Sequence, residues 1–589
     1  MPDVRRGLLA QIEIEIQQYL TETTQVSGGY DFSQSKLVRR ISMFENRTYP
    51  TGKFDSKGNY KFWYDLITPR INAEIKNVDF DTKDILAYSN RKIDELPCVI
   101  TNLKIKEWLR ENGQAEEINS AIEEGAGWGN IVWKKIKGGY ERVDLQNFYV
   151  INAAARTLKE SPVIERHQLS SSDLRAKIGQ WDNVEDVIER CKNSRRSSTQ
   201  ETQGQETTVP YYDIYERNGE VSVRDLKGAR NEEASEGDEK KYVLAKVIAA
   251  AGENSTQSTS PKIEFILFAD EITKMPYKEY HRGRYKKRWW REGLYELLFD
   301  IQVRGNQIGN QIAQGLEWAS KTVFFSPDKL VVQNILSDLA NGDIIKTTNL
   351  AQVPVRMQGL DQLIAEWNRL IQLANDIANS QEIVQGENLP SGTPFRLGAL
   401  LNQNANKLFD FIREKLAIPF SEIFEEWIIP ELVSDMRGED VLRLVGESSV
   451  LSRLHEMIVQ DWYIKNLIAI GPHTEEIAKT LKEKKMEELS KRPQILMKEL
   501  KKVFEGFKPN VSVVITGENV SLDSDLQTLS TFIQLEQDPI RRQALIEVAM
   551  RKKGLDVGAL PKSPPIVQQP AQRPQPRAAM VGAGESNEQ

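Results

Sequence analysis

Residues 294–321 read LYELLFDIQVRGNQIGNQIAQGLEWASK, and this stretch decides the architecture. Leu294, Leu297, Leu298, Ile301, Gly305, Ile308, Ile312 and Leu316 recur at the spacing of one helical face. A second such face runs through Leu360, Leu363, Ile364, Trp367, Leu370, Ile371, Ala374 and Ile377, in a helix expected over 360–384. At 1.5 Å per residue each helix spans about 35–40 Å. Between them lie a strand-like TVFFS, a helical KLVVQNILSDLA, a turn at Asn341-Gly342 and a strand-like DIIKTT. Such a compact insert lets the two helices run antiparallel, with the insert at one end. A loop, QGENLPSG, covers 385–392, and Thr393-Pro394 make an N-cap and first-turn pair. The helix they open carries Leu397, Leu400, Leu401, Leu408, Phe411, Ile412 and Leu416. Pro419 is expected to kink it, and Phe420 to Ile429 extend it.

Upstream, the pattern is mixed, so the fold class is α+β. Residues 8–50 read as helical. The segment 60–90 mixes aromatics with short apolar runs, and a further helical stretch holds Leu103, Ile105, Trp108, Leu109, Ile118 and Ile122. It stops at Gly125-Ala126-Gly127-Trp128-Gly129, read as a tight turn. A hairpin follows, IVWKKIK and YERVDL around Gly138-Gly139, and Phe148 to Ile151 are strand-like. A second hairpin is expected at Asn218-Gly219, between YYDIYER and EVSVRDL. Residues 192–209 and 251–260 are loop-like, before the strand KIEFILFA. Beyond 474 come a charged helical region broken at Pro493, a strand VSVVIT and a helix over 524–553. The tail from Pro561 has the composition of a disordered segment.

The chain has 589 residues, enough for about two to four domains. It is 40% hydrophobic and 28% charged, with a net charge of -7. Proteins that grip duplex phosphates carry a basic surplus, so any DNA contact here is expected to be local or weak. The N-terminal apolar run is broken by charges at once, unlike a signal peptide, and no stretch reaches the length of a membrane span. Cys98 and Cys191 have neither metal nor redox spacing. His167, His281, His455 and His473 form no H-x-x-x-H pair. Acidic pairs such as Asp79 and Asp81 arise by chance among 85 acidic residues. The glycine run lies in the order helix, glycines, strand, the reverse of a phosphate loop. No G-x-x-x-x-G-K-[ST] or G-x-S-x-G occurs, so neither an ATPase motor nor a nucleophile is expected; no catalytic residue, cofactor or metal is assigned.

The densest charge is YHRGRYKKRWWR, 280–291. Arg282, Arg284, Lys286, Lys287, Arg288 and Arg291 alternate there with Tyr280, Tyr285, Trp289 and Trp290. Two readings are open: a subunit interface, where Arg and Trp are favoured, or a nucleic-acid contact, where cations flank stacking rings. The two helices are acidic, with Glu296, Asp300, Glu317, Asp361, Glu366, Asp376 and Glu382 against Arg304, Lys321 and Arg369. A plain helical hairpin of a coiled-coil protein remains an alternative for that feature alone.

The order of elements adds a family. The segments WYDLITPRINAEIKNVDFDTKDI, GWGNIVWKK with VDLQNFYVIN, REGLYELLFDIQVRGNQIGNQI and SGTPFRLGALLNQNANKLFDFIREKLAIPF, in that order, resemble tailed-bacteriophage portal proteins. The resemblance covers most of 30–435 and, more loosely, 505–553. It implies a portal fold: an α+β wing over 1–290, a stem helix 291–321, a small α/β clip 322–358 and a second stem helix 359–384. A tunnel loop 385–393, a kinked wing helix 394–435, a mainly helical wing and crown region 436–560 and a disordered tail 561–589 complete it. It further implies a ring, usually a dodecamer, at one capsid vertex of the virion, the conduit for DNA packaging and ejection. Gln385, Gly386, Glu387, Asn388, Leu389, Pro390, Ser391 and Gly392 would form the channel loop around double-stranded DNA. The clip, with Pro327, Asp328, Lys329, Asn341, Gly342 and Asp343, would face the terminase and then the head-to-tail adaptor. The wing would meet the major capsid and scaffolding proteins. A helical scaffold or head-tail adaptor with no DNA conduit is the alternative.

Overall fold

The computed structural model describes residues 2–21, 24–26, 30–49, 51–54, 58, 60–78, 85–89, 95–190, 211–251, 262–320, 323–325, 351–353, 359–378, 395–435, 455–456, 458–460, 462–464, 466, 475–491 and 510–513. The chain divides into two compact units, 1–515 and 516–589, and all described residues belong to the first. They form an α+β fold of helices and antiparallel sheets. Among them no helix is long and apolar enough to cross a membrane.

The largest sheet has five antiparallel strands in the order β10-β9-β8-β7-β6: Ile263–Glu271, Tyr242–Ala251, Tyr211–Ser222, Val163–Ser170 and Phe148–Val150. The period of two is visible in its burial. Ala245, Val247 and Ala249 pack on Leu8, Ile12 and Ile16 of the first helix, Pro2–Thr21, whereas Ile248 and Ala250 point to Leu174, Val187 and Ile188 on the other face.

A three-stranded sheet has the order β11-β4-β5: Tyr277–His281, Asn130–Ile136 and Gly139–Arg142. The hairpin turning at Gly138 is the one the sequence predicts. This sheet lies between two cores. Val132 and Tyr277 face the core that holds helix Phe299–Ser320 and helix Leu360–Ala378. Ile131, Trp133 and Tyr280 face Phe409, Leu416, Phe420 and Phe424 of the long C-terminal helix.

Three expectations need correction. Asn218 and Gly219 turn no hairpin. They sit inside the continuous strand β8, paired to β7 on one side and β9 on the other. A Cβ on Gly219 would lie 2.8 Å from Cα of Pro162, so glycine serves close backbone approach here. The Asn218 amide is buried, donating to the Tyr277 hydroxyl at 3.1 Å. Gly125 and Gly127 form no turn either. They belong to helix Gln114–Trp128, where Tyr280 and Tyr295 press against them, and only Gly129, at φ 81°, ends the helix. Residues 8–50 are not wholly helical: β1 (Thr24–Val26) and β2 (Tyr30–Phe32) pair between helix Pro2–Thr21 and helix Gln34–Glu45.

The two helices read first in the sequence are present, as Leu294–Leu297 continuing into Phe299–Ser320, and Leu360–Ala378. Between them Val323–Phe325 (β12) pairs antiparallel with Ala351–Val353 (β13). The chain therefore leaves the first helix and re-enters the second at the same end, making a hairpin of helices. The strand at 351–353 was not expected; the predicted helix, turn and second strand of the insert lie outside the described residues.

The long helix runs Phe395–Ile423 with Pro419 inside it, then one π-helical turn, Phe424–Ile428, then Ile429–Asp435. A proline removes one i to i-4 bond, and a wider turn a few residues on re-seats Phe424, Trp427 and Ile428 in the core. Four carboxylates dock this helix. Glu422 and Glu426 hold Lys278 at 2.6 and 3.2 Å, Glu425 accepts from the Val511 amide, and Glu431 accepts from the Gly138 amide. The Val511 strand, Asn510–Val513 (β14), pairs with Ile85–Tyr88 (β3).

Candidate functional site

The helix hairpin and what it docks against form the candidate site. Residues 62–66 run extended along helix 299–320, against a row of side-chain amides one turn apart. The Leu66 amide donates to Oε1 of Gln302 at 2.8 Å, that of Tyr64 to Oδ1 of Asn306 at 2.8 Å, and that of Phe62 to Oδ1 of Asn310 at 2.9 Å. In return Gln302 donates to the Tyr64 carbonyl and Asn310 to the Phe62 carbonyl. Strand hydrogen bonds are thus made by a helix. Gly305 and Gly309 make the approach possible: a Cβ there would stand 2.6 Å from Leu66 and 2.5 Å from Tyr64. The repeat GNQI-GNQI at 305–312 was the signal for this seat, small residue and amide recurring every four positions. Sequence reading took Gly305 and the isoleucines of this repeat and passed over its asparagines and Gly309. On the second helix, Trp367 packs edge-on against Tyr64, and Arg70 donates to Asn375 at 2.6 Å.

The basic and aromatic run is brought to this site from the inside. Trp289 and Trp290 are 0% exposed, and Arg288 and Arg291 are buried. Trp290 donates to Gln34 at 2.9 Å and Trp289 to Glu279 at 2.7 Å. Arg282 makes a two-pronged pair with Glu74 at 2.7 and 2.8 Å, and Arg288 pairs with Glu296 at 2.8 Å. Both ring nitrogens of His281 face acceptors, Asn130 and Glu279, while burial pulls its pKa below the ordinary value. Trp289, Trp290, Arg282, Arg288 and Arg291 therefore correct both surface readings: they are a core hub where sheet β11-β4-β5 meets the helix hairpin. Arg284, Tyr285, Lys286 and Lys287 of the run are exposed, with Lys286 turned back on Glu292. The same geometry revises the acidic count of the hairpin, because Glu296 is neutralised by Arg288.

Among the described residues one group has three metal-type ligands, Glu165, His167 and Glu216. Ammonium groups already stand where a cation would. Lys134 is 2.7 Å from both glutamates, and Lys246 is 2.8 Å from Glu216. Although burial alone would raise it, hydrogen bonds from His167 and Lys134 with the two lysine charges hold the Glu216 carboxyl well below the usual range. The group links β4 to β7 and β8 as an ion-pair clasp. A cavity of 440 Å³ collects Glu45, Glu123, Glu124 and Asp144 around Arg142. There burial pushes Glu124 up to about 8, although Arg142 stands 2.8 Å away.

The expected channel-loop residues 385–392 and the expected insert residues Pro327, Asp328, Lys329, Asn341, Gly342 and Asp343 lie outside the described residues. Comparison with protein-family models and with curated proteins finds no match to this chain.

Proposed function

We propose that this chain is a subunit of a portal ring, the conduit through which double-stranded DNA is packaged into and ejected from a tailed-phage capsid. One observation carries the reading. An α+β body is followed by two helices folded into a hairpin, a short antiparallel strand pair at the hairpin's end, and then a 29-residue helix that returns to the body. We read that order as wing, stem, clip, stem and wing helix. In this reading the copies meet head to tail around an axis, a contact between two different surfaces that closes on itself. The hairpin lines the lower channel, the 385–392 loop narrows it, and the 322–358 insert receives terminase and later the adaptor. The wing meets capsid and scaffolding proteins.

The charge fits a passage rather than a grip. Each phosphate neutralised by Lys or Arg adds salt-dependent binding. Asp300, Asp361 and Asp376 are exposed on the hairpin, while Arg369 is held by Glu366 at 2.6 Å. Chemistry then belongs to a separate motor, and this chain acts by shape.

The test is the mass and shape of the purified protein. A dodecamer of 67.2 kDa chains weighs about 0.8 MDa and shows an axial pore in negative stain. A chain that stays monomeric at every concentration and ionic strength is not a portal subunit.

A further inference from the structure

Two cations that meet beyond the end of β11 have hydrogen-bond partners but no counter-charge. Arg291 is 5% exposed. Its guanidinium donates to the carbonyl of Arg288 and, at 3.3 Å, to that of Arg156, and it lies over the Tyr285 ring, 4.5 Å from the centroid. Lys415 of the long helix donates to the carbonyls of Arg282 and Gly283 at 3.1 and 3.3 Å. Among the described residues neither joins an ion pair. Burial, with the charges of Arg288 and Arg156, pulls Arg291 down to about 10, although Glu279 opposes it. Burial also lowers Lys415, and the charges of Arg291 and Arg282 add to that. Carbonyl dipoles satisfy the N–H groups of such cations and leave their charge uncompensated.

The surrounding carboxylates are already engaged. Glu74 holds Arg282, Glu292 holds Lys286 and Glu296 holds Arg288. Glu279 takes His281, the Trp289 ring N–H and the Leu158 amide. Exposed Arg156 is near enough for its charge to act on Arg291, and its own amide donates to Glu160 at 2.7 Å. Tyr285 ties the two loops together, its hydroxyl donating to the Ala154 carbonyl at 3.0 Å, and Arg284 stands exposed beside it. Positive charge thus converges from three elements: the loop after β6, the loop after β11 and the long helix. Two exposed rings flank it, Tyr285 and Phe411, with Lys415 5.6 Å from the Phe411 centroid.

The geometry points to a phosphate-binding site here, in which Lys415, Arg156 and Arg284 reach the anion and buried Arg291 lies behind them as fixed positive charge. A carboxylate presents two oxygens in one plane and a single charge. A phosphate group presents its oxygens tetrahedrally, which suits donors arriving from separate elements, and guanidinium groups bind it in two-pronged fashion. Free phosphate and the phosphodiesters of a nucleic-acid strand share this chemistry, and in the strand the two rings would give bases a surface to stack on. The site uses one chain, so it stands apart from the ring reading above.

The test titrates the full chain at low ionic strength by calorimetry. The probes are inorganic phosphate, a short oligo-dT strand, and acetate as the control anion at equal ionic strength. The expected result is binding of phosphate, of the strand or of both, with none for acetate. Arg156→Gln and Lys415→Met should each weaken that binding about tenfold or more, the worth of one charge-assisted hydrogen bond. Arg156 is a surface residue, so its variant keeps the test valid even if Lys415→Met folds poorly, with circular dichroism as the check. For the strand, the slope of log affinity against log salt should shrink by about 0.7 for each cation removed. Binding of inorganic phosphate alone assigns the site to a free anion, and binding of the strand alone assigns it to nucleic acid. An equal response to acetate, affinities unchanged in the variants, or no binding of either phosphate probe overturns the site.

Discussion

The run 282–291 and the outer flanks of the helix hairpin exchange the places their compositions suggest. The run has the densest positive charge in the chain, yet half of its cations, Arg282, Arg288 and Arg291, and both of its tryptophans are inside. The hairpin helices were read by their apolar faces, yet Val303, Leu316, Ile364 and Leu373 are 38–53% exposed. The difference lies in partners. Arg282 and Arg288 each have a carboxylate, and both tryptophan N–H groups have an acceptor, so the charges and ring N–H groups are partnered where they are buried, Nη1 of Arg288 alone lacking a hydrogen bond among these groups. The hairpin residues Val303, Leu316, Ile364 and Leu373 are left exposed among the described residues. Composition reports what a residue can do; whether it is buried depends on groups far away in sequence, here Gln34, Glu74 and Glu279.

Substitutions test that contrast. Trp290→Ala removes a fully buried ring and is expected to cost about 4 kcal/mol, read as a lower urea midpoint. Arg282→Ala leaves Glu74 buried without its counter-charge and should cost about 3 kcal/mol. Replacing both members, Arg282→Met with Glu74→Leu, should recover most of that, and failure to recover would show that the pair does more than balance charge. On the hairpin's inner side, Gly309→Ala pushes a methyl into Tyr64 and should cost about 2 kcal/mol through overpacking.

A smaller effect is set by pH. Glu124 holds its proton up to about 8 in the folded chain, against an ordinary value of 4.5. The folded state then binds more protons than the unfolded one between those values. Its contribution is present below about 4.5 and is lost as pH rises to about 8. Glu124→Gln should flatten the decline of the urea midpoint from pH 5 to pH 8, and an unchanged slope would remove Glu124 from the account. Smallest of all, Val303→Ser on the outer flank should stay within about 0.5 kcal/mol of the parent. A loss as large as that of Trp290→Ala would erase the contrast.

Much of the fold is legible in local pattern. The apolar faces at 294–316, 360–377 and 408–416 mark real helices, and the hairpin around Gly138 and the strand from Ile263 are where turn and alternation put them. Reading fails where distant groups decide. Asn218-Gly219 is a strong hairpin signal locally, but strands on both sides and Pro162 beneath leave no room to turn. Gly125 and Gly127 are poor helix formers, tolerated because Tyr280 and Tyr295 need the space. Of the site, the helices were readable and the amide seat was not, since nothing in 62–66 announces that its backbone will bond to residues 236–248 positions away.

That seat works as a vernier. Four residues of helix advance about 6.0 Å, while two residues of extended chain advance about 6.6–6.8 Å. The scales agree at one rung and drift by roughly 0.7 Å at each further rung. At the three rungs, 302, 306 and 310, the strand amides donate at 2.8, 2.8 and 2.9 Å. No fourth rung forms at Gln314 among the described contacts, and Tyr60 bridges to Phe54 instead. The mismatch of two pitches therefore limits how long an extended strand can follow a helix in this way. Because both scales are discrete, the strand cannot creep along the helix. Any axial displacement has to come in whole turns of about 6 Å, or carry helix and strand together as one piece.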